Sequence, residues 1–398
     1  MFITRDLAPY ILKLAKKIPV LAITGPRQSG KTTLAKELFS HYEYVTLEKL
    51  GIRDLAKKDP QGFLEQFDHA AGVIIDEVQQ APELLSYMQA IVDEKPRPGF
   101  YVLTGSQHFS LSQAISQTLA GRIAVFTLLP LSIAELKRVG LLASDAQQAV
   151  FTGFYPRVFA KKLETSEWYP DYIQMYVERD VREVLRIVDL AQFQSFIRLC
   201  AGRIGQLLNV TSLANDCGIA VATAKSWLSI LQASYIIYLL QPHHKNFSKR
   251  LIKSPKLYFY DTGLACSLLG IETAKQLSGH YLRGSLFESM VITDLLKEQY
   301  NSSRRPQSFF WRDKTGHEID CLIERGQYLF PIEIKAGQTI NEDYFEALNQ
   351  WNSIAKADPK KSAVVFAGSE RYTFKYISVF GWNETCELFE KILKSSEA

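Results

Sequence analysis

The segment GPRQSGKTT, Gly25–Thr33, limits the fold of this chain more than any other stretch. It follows an apolar run that reads as a strand and opens a run that reads as a helix, which is the context the pattern GxxxxGK[ST] requires. Gly25 and Gly30 let the backbone curl so that its N–H groups converge, and the helix beginning near Lys31 adds the positive end of its dipole. The result is an anion cradle suited to the phosphates of a nucleotide. Gly25, Pro26, Arg27, Gln28, Ser29, Gly30, Lys31, Thr32 and Thr33 are therefore predicted to bind ATP. Lys31 is placed to reach the β- and γ-phosphates, and the Thr32 hydroxyl to ligate Mg²⁺.

Such a loop belongs at the edge of a parallel sheet, and the following segments supply one. Strands are expected at Val20 to Thr24, Tyr44 to Leu47, Val73 to Asp76, Tyr101 to Thr104 and Val125 to Leu128, alternating with helical stretches up to about Leu136. In VIIDE the apolar run marks a buried central strand, and Asp76 emerges at its C-terminal end, where ligands of such sheets bind. Asp76 is predicted to help hold Mg²⁺ and Glu77 to orient and deprotonate the attacking water. FYVLTGSQ would bring Thr104, Gly105, Ser106 and Gln107 beside Asp76 if its strand is the neighbour, which suits a sensor of the γ-phosphate. Ordinary strand-end capping accounts for the same residues equally well. Arg122, in LAGR, is the candidate guanidinium for the phosphates, acting in its own subunit or in a neighbour's. Its plain alternative is a surface salt bridge.

A chain of 398 residues exceeds what one hydrophobic core usually serves, which favours two or three domains. At 47% hydrophobic and 22% charged residues it reads as globular, and no apolar run approaches the roughly 18 to 20 residues that cross a bilayer. The opening MFITRDLAPYILKLAKKI is interrupted by Arg5 and Asp6 and reads as an amphipathic helix rather than a signal peptide, with Leu7, Tyr10, Ile11, Leu14 and Ile18 at helical spacing. Five widely spaced cysteines without a CxxC pair argue against a disulfide framework and against structural zinc, and predict a reducing, cytoplasmic setting. A net charge of +4 is too small to identify a nucleic-acid binder by itself.

From Trp168 to about Leu199 the pattern is helical. Ser212 to His243 then reads as helix, glycine-containing turn, helix and strand, the order of a helix-turn-helix with a wing. Such a segment either enters a major groove or serves as a packing module. The stretch KNFSKRLIKSPK, Lys245 to Lys256, carries five cations around Phe247 and would either track a phosphate backbone or form a solvated loop. His243 and His244 have no ligand partners at metal spacing, and no metal is assigned to them.

Taken together, GPRQSGKTT, VIIDEVQ, LTGSQ, LAGR, YVERDV, YFYDTGL, GSLFES, and EIDCLI followed by IEIKAG resemble AAA-like P-loop ATPases of bacteria and archaea that carry a C-terminal restriction-endonuclease-like domain of the PD-(D/E)XK type. The resemblance runs over nearly the whole chain. It implies an α/β fold with a P-loop NTPase parallel sheet at 1–165, a helical, winged-helix-like middle at 166–255 and a nuclease-like α/β domain at 256–398. Asp320, Glu333 and Lys335 form the skeleton D…ExK, with the last two on one face of a strand. A turn at Glu324 to Gln327 would fold the Asp320 strand against them, and Glu288 on the preceding helix would complete a site able to bind Mg²⁺ and cleave a phosphodiester. Ile319 stands where the family pattern expects proline. The expected function is ATP hydrolysis with Mg²⁺ driving conformational change on a nucleic-acid or protein target, with oligomerisation left open. The alternatives are an ATP-gated nuclease and a non-catalytic ATP-dependent switch.

Overall fold

The computed structural model describes residues 2–106, 118–177, 190–243 and 253–396. Gln107, His244 and most of KNFSKRLIKSPK lie outside the described residues, as does YVERDV beyond Val177.

Among the described residues the N-terminal part is a five-stranded sheet: β1 (Val20–Gly25), β2 (Glu43–Thr46), β3 (Val73–Asp76), β4 (Tyr101–Ser106) and β5 (Ile123–Thr127), in the order β2-β3-β4-β1-β5. All its pairings are parallel. β1 is buried along its whole length, as a central strand covered on both faces must be. The period of two is visible in its contacts: Val20 and Ala22 join a core with Ile75, Leu84 and Met88, whereas Leu21 and Ile23 face Leu7, Ile11 and Leu34. The second set is the expected docking of the N-terminal helix, Ala8–Ala15, although Tyr10 on that helix stays exposed. Because β1 ends where the chain must reverse into a helix, Gly25 adopts φ 145°, and a Cβ there would lie 2.2 Å from the Leu128 carbonyl oxygen.

The middle of the chain is helical. Val210–Cys217 is capped by Asn209, whose side chain accepts from the Ser212 N–H at 3.0 Å, and Gly218 in the left-handed region turns the chain into Val221–Ala233. Trp227 of that second helix packs edge-on against Phe193 and Phe196 of the helix Leu190–Ala201. What remains exposed on Val221–Ala233 is Ala222, Lys225, Ser226 and Ser229. A single cation is a weak electrostatic match for a phosphate backbone.

The strand after it, β6 (Ile237–Pro242), shares a core with that helix through Ile237 and Leu240 and also enters a sheet. It pairs with β7 (Lys256–Phe259) and, through Gln241 and Pro242, with β8 (Ser308–Arg312), the start of a sheet completed by β9 (Glu318–Arg325), β10 (Tyr328–Lys335), β11 (Ala363–Phe366), β12 (Tyr372–Phe374) and β13 (Ile377–Gly381). The boundary expected at residues 255/256 thus runs between two strands of one mixed sheet. The expected hairpin from Phe309 to Lys335 is a three-stranded meander, and the β9–β10 turn is tight, with Arg325 paired to Tyr328 and Gly326 at φ 58°. One face of this sheet is covered by the long helix Arg283–Asn301, and the other by Glu346–Ala355, where Trp311 meets Trp351.

Candidate functional site

β1 delivers Gly25 to the C-terminal edge of the first sheet, and the loop that follows alternates into left-handed conformations at Gln28 (φ 61°) and Gly30 (φ 94°) before Lys31–Leu38 begins. The Lys31 side chain is buried and folds over the loop, donating to the Gly25 carbonyl at 3.1 Å and the Pro26 carbonyl at 2.7 Å. Ser29 Oγ and Gln28 Oε1 are buried without hydrogen-bond partners among the described residues, polar capacity that a bound anion or its water would use. Two outside groups hold the loop from behind. Arg5 donates to the Ser29 carbonyl at 2.9 Å, and the Tyr172 hydroxyl to the Arg27 carbonyl at 3.3 Å.

Asp76 reaches the same edge because β3 is two strands from β1, with β4 between them. Its Oδ1 accepts from the Thr32 hydroxyl at 2.9 Å and from the Thr104 hydroxyl, and its Oδ2 accepts from the Tyr44 hydroxyl at 2.9 Å. The Thr32–Asp76 pair is an all-oxygen set suited to a hard cation such as Mg²⁺. Glu77 follows in the left-handed region at φ 57°, a conformation uncommon for a residue with a Cβ and one that recurs at functional sites. Burial raises its carboxyl above the usual glutamate value, Lys31 and Arg27 pull it back, Asp76 adds to the rise, and Gln79 donates a hydrogen bond to it.

Glu77 and the loop line one cavity of about 630 Å³. Across it stand Arg157 and Lys161, four residues apart on the helix Pro156–Lys161, while Ile3, Leu131 and Ala160 supply an apolar side. Sequence reasoning missed these two cations and Tyr44. The i, i+4 spacing of Arg157 and Lys161 was a legible signal, but nothing local told which way that helix faces.

One expected residue stands away from the loop. Arg122 precedes β5, and its carbonyl takes the N–H of Val20, so it lies at the end of β1 opposite Gly25, about 17 Å away at ~3.3 Å per residue. There it pairs with Asp93 at 2.5 and 2.8 Å, on the surface. Within its own chain it thus stands at the far end of β1 from the phosphate loop. Thr104 makes a contact to Asp76; Ser106 ends β4, and its side chain, like Gln107, lies outside the described residues.

The C-terminal constellation does come together. Asp320 on β9 accepts the Ile334 N–H at 2.9 Å, Lys335 donates to Glu333 at 2.5 Å, and Glu288 on Arg283–Asn301 takes the Lys256 ammonium at 3.1 Å and the Tyr258 hydroxyl at 2.5 Å. Burial and then the Asp320 charge push Glu288 up to about 7 and Glu333 up to about 8. Lys256, the last of the five cations read as either a phosphate-tracking or a solvated stretch, is only 3% exposed and fits neither alternative.

Residues 17–137 match a family model described as an AAA domain. The first third of the chain is similar to an AAA domain. Residues 143–275 and 283–384 match two models described as domains of unknown function (DUF8612 and DUF4143). Over 372 residues the chain is 28% identical to the uncharacterized proteins Rv2008c of Mycobacterium tuberculosis and Mb2031c of Mycobacterium bovis, covering 92% of this chain and 81% of each relative. Among solved structures, the Walker-type ATPase PABY2304 of Pyrococcus abyssi superposes with a TM-score of 0.45 at 16% identity, over 67% of this chain and 96% of that one. The RuvB Holliday junction branch migration motor of Thermotoga maritima superposes with a TM-score of 0.32 at 20% identity, over 60% and 90%. Among the described residues no helix is long and apolar enough to cross a membrane.

Proposed function

We propose that the chain binds ATP over Gly25–Thr33 and hydrolyses it, using the cycle to shift its helical middle and C-terminal sheet against a nucleic-acid or protein target. The observation that carries this reading is the convergence of Thr32, Thr104 and Tyr44 on Asp76, with Glu77 beside it in a strained backbone conformation at the same cavity. The loop N–H groups and Lys31 would bind the phosphates. Thr32 and Asp76 are the residues that would hold Mg²⁺, which supplies neutralising charge on the phosphate oxygens. Glu77 would accept the proton of the attacking water, Thr104 would register the γ-phosphate through Asp76, and Arg157 and Lys161 would add charge from the facing helix.

The loop's supports suggest how its state is passed on. Arg5 joins the Ser29 carbonyl to Glu135, and the helix Ile133–Arg138 that carries Glu135 is tied to Arg283–Asn301 by the Ile133 N–H on Asp294, 3.0 Å, and by Lys297 on the Leu131 carbonyl, 2.9 Å. A displacement of the loop thereby meets a series of buried polar contacts leading to the helix that covers the C-terminal sheet.

Phosphate release by the full chain tests the reading. Wild type should turn over ATP with Mg²⁺, and Glu77→Gln should keep ATP bound while losing a factor of about 10² or more in turnover. An unchanged rate in Glu77→Gln removes Glu77 from the chemistry, and no release under any condition favours a non-hydrolysing switch.

A further inference from the structure

The D…ExK skeleton invites a divalent cation, but this chain has put a cation of its own beside it. Lys256, the first residue of β7, brings its ammonium between the helix carrying Glu288 and strand β9, where it contacts Glu288 at 3.1 Å and also Glu318. It is 3% exposed, too enclosed to swing into solvent without opening the packing around it. At least one oxygen of each neighbouring carboxylate is also engaged. The Tyr258 hydroxyl shares Glu288 Oε1, the Ile334 N–H holds Asp320 Oδ2, Lys335 holds Glu333 Oε1, and Arg312 holds Glu318 at 3.0 Å. Glu333 Oε2 is the buried carboxylate oxygen of this group left without a partner.

Three cations, Lys256, Lys335 and Arg312, thus stand against four carboxylates, Glu288, Glu318, Asp320 and Glu333. A hard divalent ion requires about six oxygen ligands in a near-octahedral shell. Among the described residues no group of three or more His, Cys, Asp or Glu side chains is placed to hold one. An incoming Mg²⁺ or Mn²⁺ would have to expel the buried ammonium or share its carboxylates at close range, with repulsion undiluted by water.

We propose that Lys256 stands in for the metal ion in the Glu288–Asp320–Glu333 cluster, closing it as an internal ionic site that takes up no divalent cation in the native protein. The cluster then fastens β7, β9, β10 and the helix Arg283–Asn301 to one another, and the domain contributes contacts rather than metal-dependent phosphodiester cleavage. This inference is independent of the nucleotide site.

The test is Mn²⁺ titration of the full-length, nucleotide-free protein, read from the spin-resonance signal of free Mn²⁺, for wild type, Asp320→Asn, Lys256→Met and Lys256→Met/Asp320→Asn. Wild type and Asp320→Asn should bind Mn²⁺ identically. Lys256→Met should gain one site, tighter by about tenfold or more than any in wild type, and adding Asp320→Asn should abolish the gain. A wild-type site that disappears in Asp320→Asn overturns the proposal, and so does a folded Lys256→Met that gains nothing. The comparison of wild type with Asp320→Asn decides the matter even if the Lys256 variants do not fold.

Discussion

Arg5 and Glu135 form an ion pair at 3.0 Å with both side chains buried, 5% and 0% exposed, and the same guanidinium holds the Ser29 carbonyl behind the phosphate-binding loop. The residue that interrupts the amphipathic N-terminal segment is therefore a structural part of the loop. Glu135 is in turn the third residue of its helix and accepts the Ser132 N–H in a capping box, so two functions share one carboxylate. Removing Arg5 leaves that carboxylate buried and uncompensated. Arg5→Ala is expected to lose about 3–5 kcal/mol of stability by denaturant titration, and Arg5→Met combined with Glu135→Leu to recover part of it.

Arg157 and Lys161 face the loop from a different segment of the chain, and neither belongs to the P-loop pattern. If they meet the phosphates, Arg157→Ala raises the Kd for ATP by about tenfold to a hundredfold, matching the ~1.5–3 kcal/mol of a charge-assisted hydrogen bond, and affects adenosine far less. Equal weakening of ATP and adenosine would instead indicate a packing defect.

Glu77 must be ionised to take a proton, and burial holds its carboxyl above the ordinary value of 4.5. Turnover at saturating ATP is therefore expected to fall on acidification through a midpoint above that of an ordinary glutamate, and the residual activity of Glu77→Gln to lack this acid limb. A midpoint at or below 4.5 in wild type would contradict the assignment.

Glu298, on the helix Arg283–Asn301, is buried with Oε1 unpartnered, and burial followed by the Asp294 and Asp6 charges raises it from 4.5 to about 8. The folded state thus keeps a proton that the unfolded chain releases. Its stabilising contribution is complete below about pH 4.5 and is lost as the pH rises through about 8. Glu298→Gln should flatten this decline, so that melting temperatures of variant and wild type diverge between pH 5 and about 8 in the variant's favour. Parallel melting curves across that range would refute it.

The first sheet was legible because its signals are local: a complete phosphate-loop pattern, an apolar run leading into Asp76 and strands that alternate with helices. Asp320, Glu333 and Lys335 were legible for the same reason, through strand period and a short turn. What escaped depends on strand order and direction, which no local pattern carries. Tyr44 meets Asp76 only because β2 is placed beside β3, and Arg122 is far from the loop only because β5 runs parallel to β1. Lys256 read as the last of five surface cations because its burial is imposed by β9 and a helix distant in sequence. The strand after the second helix pairs with nearby β7, but its continuation through Gln241 and Pro242 onto β8, more than sixty residues further on, carried no local signal.

The most direct test of the account is isothermal calorimetry of the full chain with ATP and Mg²⁺, beside Lys31→Ala. One ATP per chain is expected to bind wild type, and Lys31→Ala to bind at least about tenfold more weakly, the loss of a charge-assisted contact to the phosphates. Wild-type protein that shows no affinity for ATP, or a Lys31→Ala variant that binds it as tightly as wild type, would contradict the account.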